Sequence, residues 1–113
     1  MSLYSDDFMM QMMDGNLSEV NTIAKMFVDL GSQMLEDIRQ NIDTKDLKSA
    51  GATAHKLKSS LKMWRMEELI PLSEFIEHNC ENISSHGEIV VKFDILNTGL
   101  NAALDQMRND FNL

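Results

Sequence analysis

Residues 53–62 read TAHKLKSSLK, one histidine among three lysines in a 113-residue chain whose formal charge is −8. Across 45–65, Lys45, Lys48, Lys56, Lys58, Lys62 and Arg65 supply six of the ten basic residues, and Asp46 is the one acid. A solvated helix face is the simplest account of such a run. The imidazole among the ammonium groups suggests a chemistry as well. Neutral imidazole is nucleophilic near physiological pH, because free histidine titrates at about 6.5. Hydrolysis would want a base paired with a nucleophile and a third group to orient them. Zinc would want three or four ligands. The window holds neither set. A phosphoryl acceptor fits better, since its product carries negative charge that an ammonium one helical turn away can pair with.

Such a site needs a helix to hold it. Leu47, Ala50, Ala54, Leu57 and Leu61 repeat every three or four residues and mark one inward face of a helix opened by Asp43 or Thr44. Gly51, His55, Lys58, Ser59 and Lys62 then fall on the adjoining outer side, because residues three or four apart are neighbours on a helix surface. His55 projects from this flank, and the small residues Gly51 and Ser59, one turn to either side, leave its ring open to another protein. The histidine is mid-helix, so no terminal dipole assists it.

The rest of the chain reads as helices too. Leu17, Val20, Ile23, Phe27, Leu30, Met34 and Ile38 form one long apolar stripe, with Asn16 as its cap and Glu19 in capping-box register. A short helix over 5–13 precedes it. Leu69, Leu72, Ile76 and Ile83 mark a further helix, with Pro71 placing its regular start near Ile70. Ile89, Phe93, Leu96, Leu100, Leu104, Met107 and Phe111 mark the last, after Ser85 and Glu88 in capping-box spacing. Connections fall near 41–43, 63–65 and 82–87. No segment alternates as a strand would. Short links between four amphipathic helices predict an all-α, antiparallel up-and-down four-helix bundle with a short extra N-terminal helix, a single domain over 1–113. Trp64 is expected to plug one end of the bundle, and the methionines at 9–13 to pack against it.

Composition narrows the function. The acidic total argues against general nucleic-acid binding, which needs a basic face for phosphates. No apolar run approaches the roughly 18 residues of a membrane span. Cys80 is the one cysteine, so an internal disulfide is impossible and a reducing, cytoplasmic setting is expected. His78, Cys80 and His86 match no familiar zinc spacing.

Ala54-His55-Lys56-Leu57-Lys58-Ser59, on the outer side of one bundle helix, resembles the Ala-His-x-Leu-Lys-Gly signature of histidine-containing phosphotransfer domains, and the helix order agrees over nearly the whole chain. The resemblance implies a phosphorelay intermediate of two-component signalling. His55 would accept a phosphoryl group from a receiver-domain aspartate and pass it to another receiver, while Lys58 would contact the phosphoryl oxygens. The family often has Gln or Glu on the next helix to hold the other ring nitrogen; counted without gaps, that position is Glu77. Lys48, Gly51, Ser59 and Lys62 would dock the partner, a response-regulator receiver or one within a hybrid histidine kinase. Such a domain is a stoichiometric phosphocarrier rather than an enzyme. It has no cofactor of its own, because the receiver brings the Mg²⁺. Two positions depart from the pattern. Ser59 replaces the glycine after the lysine, and Arg65 occupies a later glycine position, where a positive φ would be strained. The alternative is a binding-only bundle, a degenerate phosphotransfer domain that docks a receiver without passing phosphate.

Overall fold

The computed structural model describes residues 2–113 and contains five α-helices: α1 (Asp7–Met12), α2 (Leu17–Asp43), α3 (Leu47–Met63), α4 (Ile70–Asn79) and α5 (His86–Asp110). A single 3₁₀ turn, Ile83–Ser85, runs straight into α5, and the described residues include no strand. Short connections fold α2 to α5 up and down. The pairs α2–α3, α3–α4, α4–α5 and α2–α5 pack together, closing the all-α bundle.

The inward faces of α3 and α5 follow their sequence patterns. Leu47, Ala50, Ala54, Leu57 and Leu61 are all buried, as are Ile89, Phe93, Leu96, Leu100, Leu104 and Met107. The α2 stripe needs correction. Its buried residues are Val20, Ala24, Phe27, Val28, Gly31, Leu35, Ile38 and Ile42. Leu17 and Leu30 are exposed. Leu17 is the first residue of the helix, whereas Leu30 sits too far round the helix at 100° per residue to reach the core. Ile83, expected on α4, is exposed in the 3₁₀ turn.

The helix ends explain the boundaries. Asn16 caps α2 as expected, its Oδ1 accepting from the Glu19 amide at 3.2 Å. The cap of α3 is Asp46 rather than Asp43 or Thr44; its carboxylate accepts from the Ser49 amide at 3.3 Å and the Ser49 hydroxyl at 2.7 Å. Helix α2 therefore continues through 41–43, where a connection was expected. Lys45 stops it with φ +60, and the Asp46 and Lys45 amides turn back to the Asn41 and Ile42 carbonyls. Arg65 ends α3 in the same way, with φ +51, while the Met66 amide reaches the Leu61 carbonyl at 2.9 Å. Helix α4 starts at Ile70 with Pro71 in its first turn, where the missing donor is harmless. Ser85 makes no capping bond; Asn82 Oδ1 accepts from the Ser84 amide instead.

A left-handed backbone costs a side-chain-bearing residue about 1–2 kcal/mol, partly offset because glycine loses more freedom on folding. Arg65 is exposed, so Arg65→Gly is expected to stabilise the protein by about 1 kcal/mol. Thermal unfolding would register this as a rise of a few degrees; a fall in Tm would contradict it.

Trp64, 1% exposed, closes one end of the bundle. Tyr4, Phe27 and Phe111 place their rings about it at 6.1, 6.0 and 6.1 Å. The N-terminal strap is pinned there, because the Ser5 amide donates to the Trp64 carbonyl and the Tyr4 hydroxyl donates to Asp110 Oδ2 at 2.7 Å. Burial and that carboxylate push the Tyr4 phenol well above its usual range. Of the methionines at 9–13, Met9 is buried and Met10 and Met13 are half-buried against the core, whereas Met12 is exposed.

Candidate functional site

His55 lies at the middle of α3, with Ala54 and Leu57 on either side turned into the core. That anchoring aims the intervening side chain outward, and the His55 side chain is 61% exposed. Helix α4 runs antiparallel beside α3 and brings one carboxylate to it. Glu77 Oε2 lies 2.5 Å from His55 Nδ1, and Glu77 Oε1 accepts from the Lys58 ammonium at 2.8 Å. One carboxylate thus holds a histidine and a lysine of the same helix at once. Among the described residues, no protein group hydrogen-bonds His55 Nε2.

The electrostatics follow from that sharing. The hydrogen bond from Lys58 holds the Glu77 carboxyl below its usual range; desolvation opposes this, and the bond to His55 adds to it. The same bond with Glu77 raises Lys58, with a further push from Glu74. Both groups are charged at neutral pH. The carboxylate accepts the proton on Nδ1, so the Nε2 lone pair of a neutral ring points away from the clamp.

The outer residues divide into two groups. Lys48, Lys56, Ser59 and Lys62 are exposed on α3, within two turns of His55 on either side. Gly51 is corrected: it is buried and faces α4 rather than solvent. A Cβ at that position would lie 2.5 Å from both Cβ and Sγ of Cys80. Lys58 is also placed differently from a free ammonium, being 15% exposed and paired with Glu77. The window 45–65 contains no acid near His55 in sequence, so this pairing and the influence of Glu74 arise only when α4 folds back. His86 is committed elsewhere, its Nε2 donating to the Ile42 carbonyl at 3.1 Å. Among the described residues, His78, Cys80 and His86 do not gather into a group that could hold a metal.

The bundle thus carries a mid-helix histidine held at one ring nitrogen and exposed to solvent. A family model described as "Hpt domain" matches residues 22–110, and the chain belongs to that family of histidine phosphotransfer domains. Neither a curated protein nor a solved structure matches it. Members of this family serve phosphorelays of two-component signalling together with receiver domains, as phosphocarriers rather than enzymes. No helix among the described residues is long and apolar enough to cross a membrane.

Proposed function

We infer that His55 is the phosphoryl acceptor of this domain and that it relays the group from one receiver-domain aspartate to another. The observation that carries this reading is the exposed ring fixed through Nδ1 with Nε2 unengaged. In the transfer step the Nε2 lone pair attacks the phosphorus of the receiver's aspartyl phosphate. The N–P bond forms as the P–O bond to the aspartate breaks, and the carboxylate leaves with the electron pair. The ring gains positive character, which the Glu77 carboxylate on the Nδ1 proton stabilises. A preorganised charge at the place where charge develops lowers the barrier without reorganisation. Mg²⁺ would be held by the carboxylates of the receiver's acidic pocket and would neutralise the phosphoryl oxygens from that side. Lys58 already stands beside Glu77, and the new phosphoryl oxygens offer its ammonium a second acceptor. The reverse sequence returns the group to a second receiver. The donor receiver belongs to a response regulator or a hybrid histidine kinase, in the cytoplasm.

The direct test is incubation with a phosphorylated receiver and Mg²⁺. His55 should acquire an acid-labile, base-stable label, and His55→Gln should acquire none. A receiver that binds without transferring label would identify a docking adaptor instead. The exposed Lys48, Ser59 and Lys62 form the docking rim, and the lysines meet an acidic partner. Electrostatic steering raises association rates and fades as salt screens it. Raising the ionic strength from 0.05 to 0.5 M, or introducing Lys62→Glu, should therefore slow association on the order of tenfold. Stopped-flow binding checks this; a salt-independent rate would remove the steering role.

A further inference from the structure

Gly51 of α3 packs closely against Cys80, the residue that caps the end of α4. An added Cβ on Gly51 would meet Cys80 Cβ and Sγ at 2.5 Å each, and the Glu77 carbonyl at 3.6 Å. Real side chains do not approach so closely, so the two helices can lie at this spacing only because residue 51 lacks a side chain. The register ties this contact to the site. In the antiparallel pair, Gly51 faces Cys80, and one turn further along α3 His55 faces Glu77, which lies about one turn before Cys80 in α4. One turn beyond that, Lys58 reaches the same carboxylate. Ser73, fully buried in α4, is a second small residue on the packed face of that helix. The carboxylate reaches both partners through short bonds of 2.5 and 2.8 Å, and moving the helices apart would lengthen and weaken them.

We propose that Gly51 is a positioning residue for the phosphoryl acceptor: by admitting Cys80 against the α3 backbone, it sets the helix spacing that seats Glu77 on His55 Nδ1. The proposal rests on the phosphotransfer reading of His55, but the spacing itself can be measured without it. It also reverses the role that a small residue next to the histidine suggests in the sequence. The space above Gly51 is filled by the protein's own helix and is not offered to a partner.

Size exchange across the contact provides the test. Gly51→Ala should weaken the His55–Glu77 hydrogen bond, read as loss of a fixed Nδ1–H form in side-chain ¹⁵N NMR. It should also slow transfer from a phosphorylated receiver by tenfold to about a hundredfold, the range expected for a reacting group displaced by roughly 1 Å. Gly51→Ala with Cys80→Ala should remain impaired, because alanine keeps the Cβ that clashes. Gly51→Ala with Cys80→Gly should recover both the hydrogen bond and the rate, and it decides the matter even where the single variant folds poorly. A folded Gly51→Ala protein with the wild-type rate and an intact Nδ1–H bond would overturn the proposal. So would a Gly51→Ala, Cys80→Gly protein that melts normally yet stays slow. If the wild-type protein takes no label at all, the phosphotransfer reading fails, and the NMR arm still decides the role of Gly51.

Discussion

Glu77→Ala is expected to slow phosphoryl transfer to His55 by about tenfold to a hundredfold while leaving the bundle folded. The carboxylate holds the ring through Nδ1, and in the proposed transfer it would also select the tautomer that exposes the Nε2 lone pair and stabilise the charge the ring acquires. Removing it leaves an exposed imidazole free to rotate, and it releases the Lys58 ammonium from its 2.8 Å contact. Glu77→Gln should fall between the two. Its carbonyl oxygen still accepts from Nδ1–H, but its amide nitrogen cannot accept from Lys58, and the negative charge is gone. Single-turnover transfer kinetics separate the three proteins. Equal rates would show that Glu77 does not prepare the ring.

The same clamp gives stability a defined pH dependence. The Glu77 carboxyl is depressed in the folded state, so its contribution is fully present above the ordinary value of 4.5 and is lost as pH falls below it through the lowered value. Lys58 is raised, so its share is present below 10.5 and is lost as pH climbs above that through the raised value. Between these limits the clamp is intact. The difference in Tm between wild type and Glu77→Gln should therefore shrink as pH falls below 4.

Trp64→Ala should have the largest effect on stability, about 3–5 kcal/mol for a large aromatic removed from a packed core. That is a substantial part of the roughly 5–15 kcal/mol that holds a domain of ordinary stability together. The indole is 1% exposed, and three aromatic rings from the N-terminal strap, α2 and the end of α5 rest on it, so its removal takes a packing partner from all three. Tm should fall on the order of 15 °C or more. Circular dichroism must follow the change, since Trp64 is the chain's one tryptophan. Because the ring lies nine residues along α3 from His55, a folded Trp64→Ala protein below its new Tm should still accept phosphate.

Helices with strong apolar spacing were legible in the sequence to within a few residues. The five inward positions of α3 are all buried, and that alone orients His55 outward. In α2 the stripe was displaced because Ala24 and Gly31, which lie on the packed face, carry little hydropathy signal, while Leu30 and the exposed Met26 lie outside it. Helix stops were harder to read. Lys45 and Arg65 hold the left-handed conformation that usually announces itself as glycine; the turn at 63–65 was legible all the same, whereas the stop of α2 at Lys45 carries no such mark. Contacts between helices were the least legible. The approach at Gly51 depends on which residue α4 brings against it, and the pairing of Lys58 with Glu77 joins residues 19 positions apart. Local spacing places each side chain on a face; the neighbouring helix decides whether that face meets solvent, a partner or a carboxylate.

One ring nitrogen, Nε2 of His55, carries the proposed transfer. Correlated ³¹P–¹⁵N NMR of histidine-labelled protein, phosphorylated by a receiver domain with Mg²⁺, reads it directly. A phosphorus coupled to Nε2 of His55, with the proton retained on Nδ1, is the predicted spectrum. Phosphorus on Nδ1, on another residue or nowhere on the chain would contradict it.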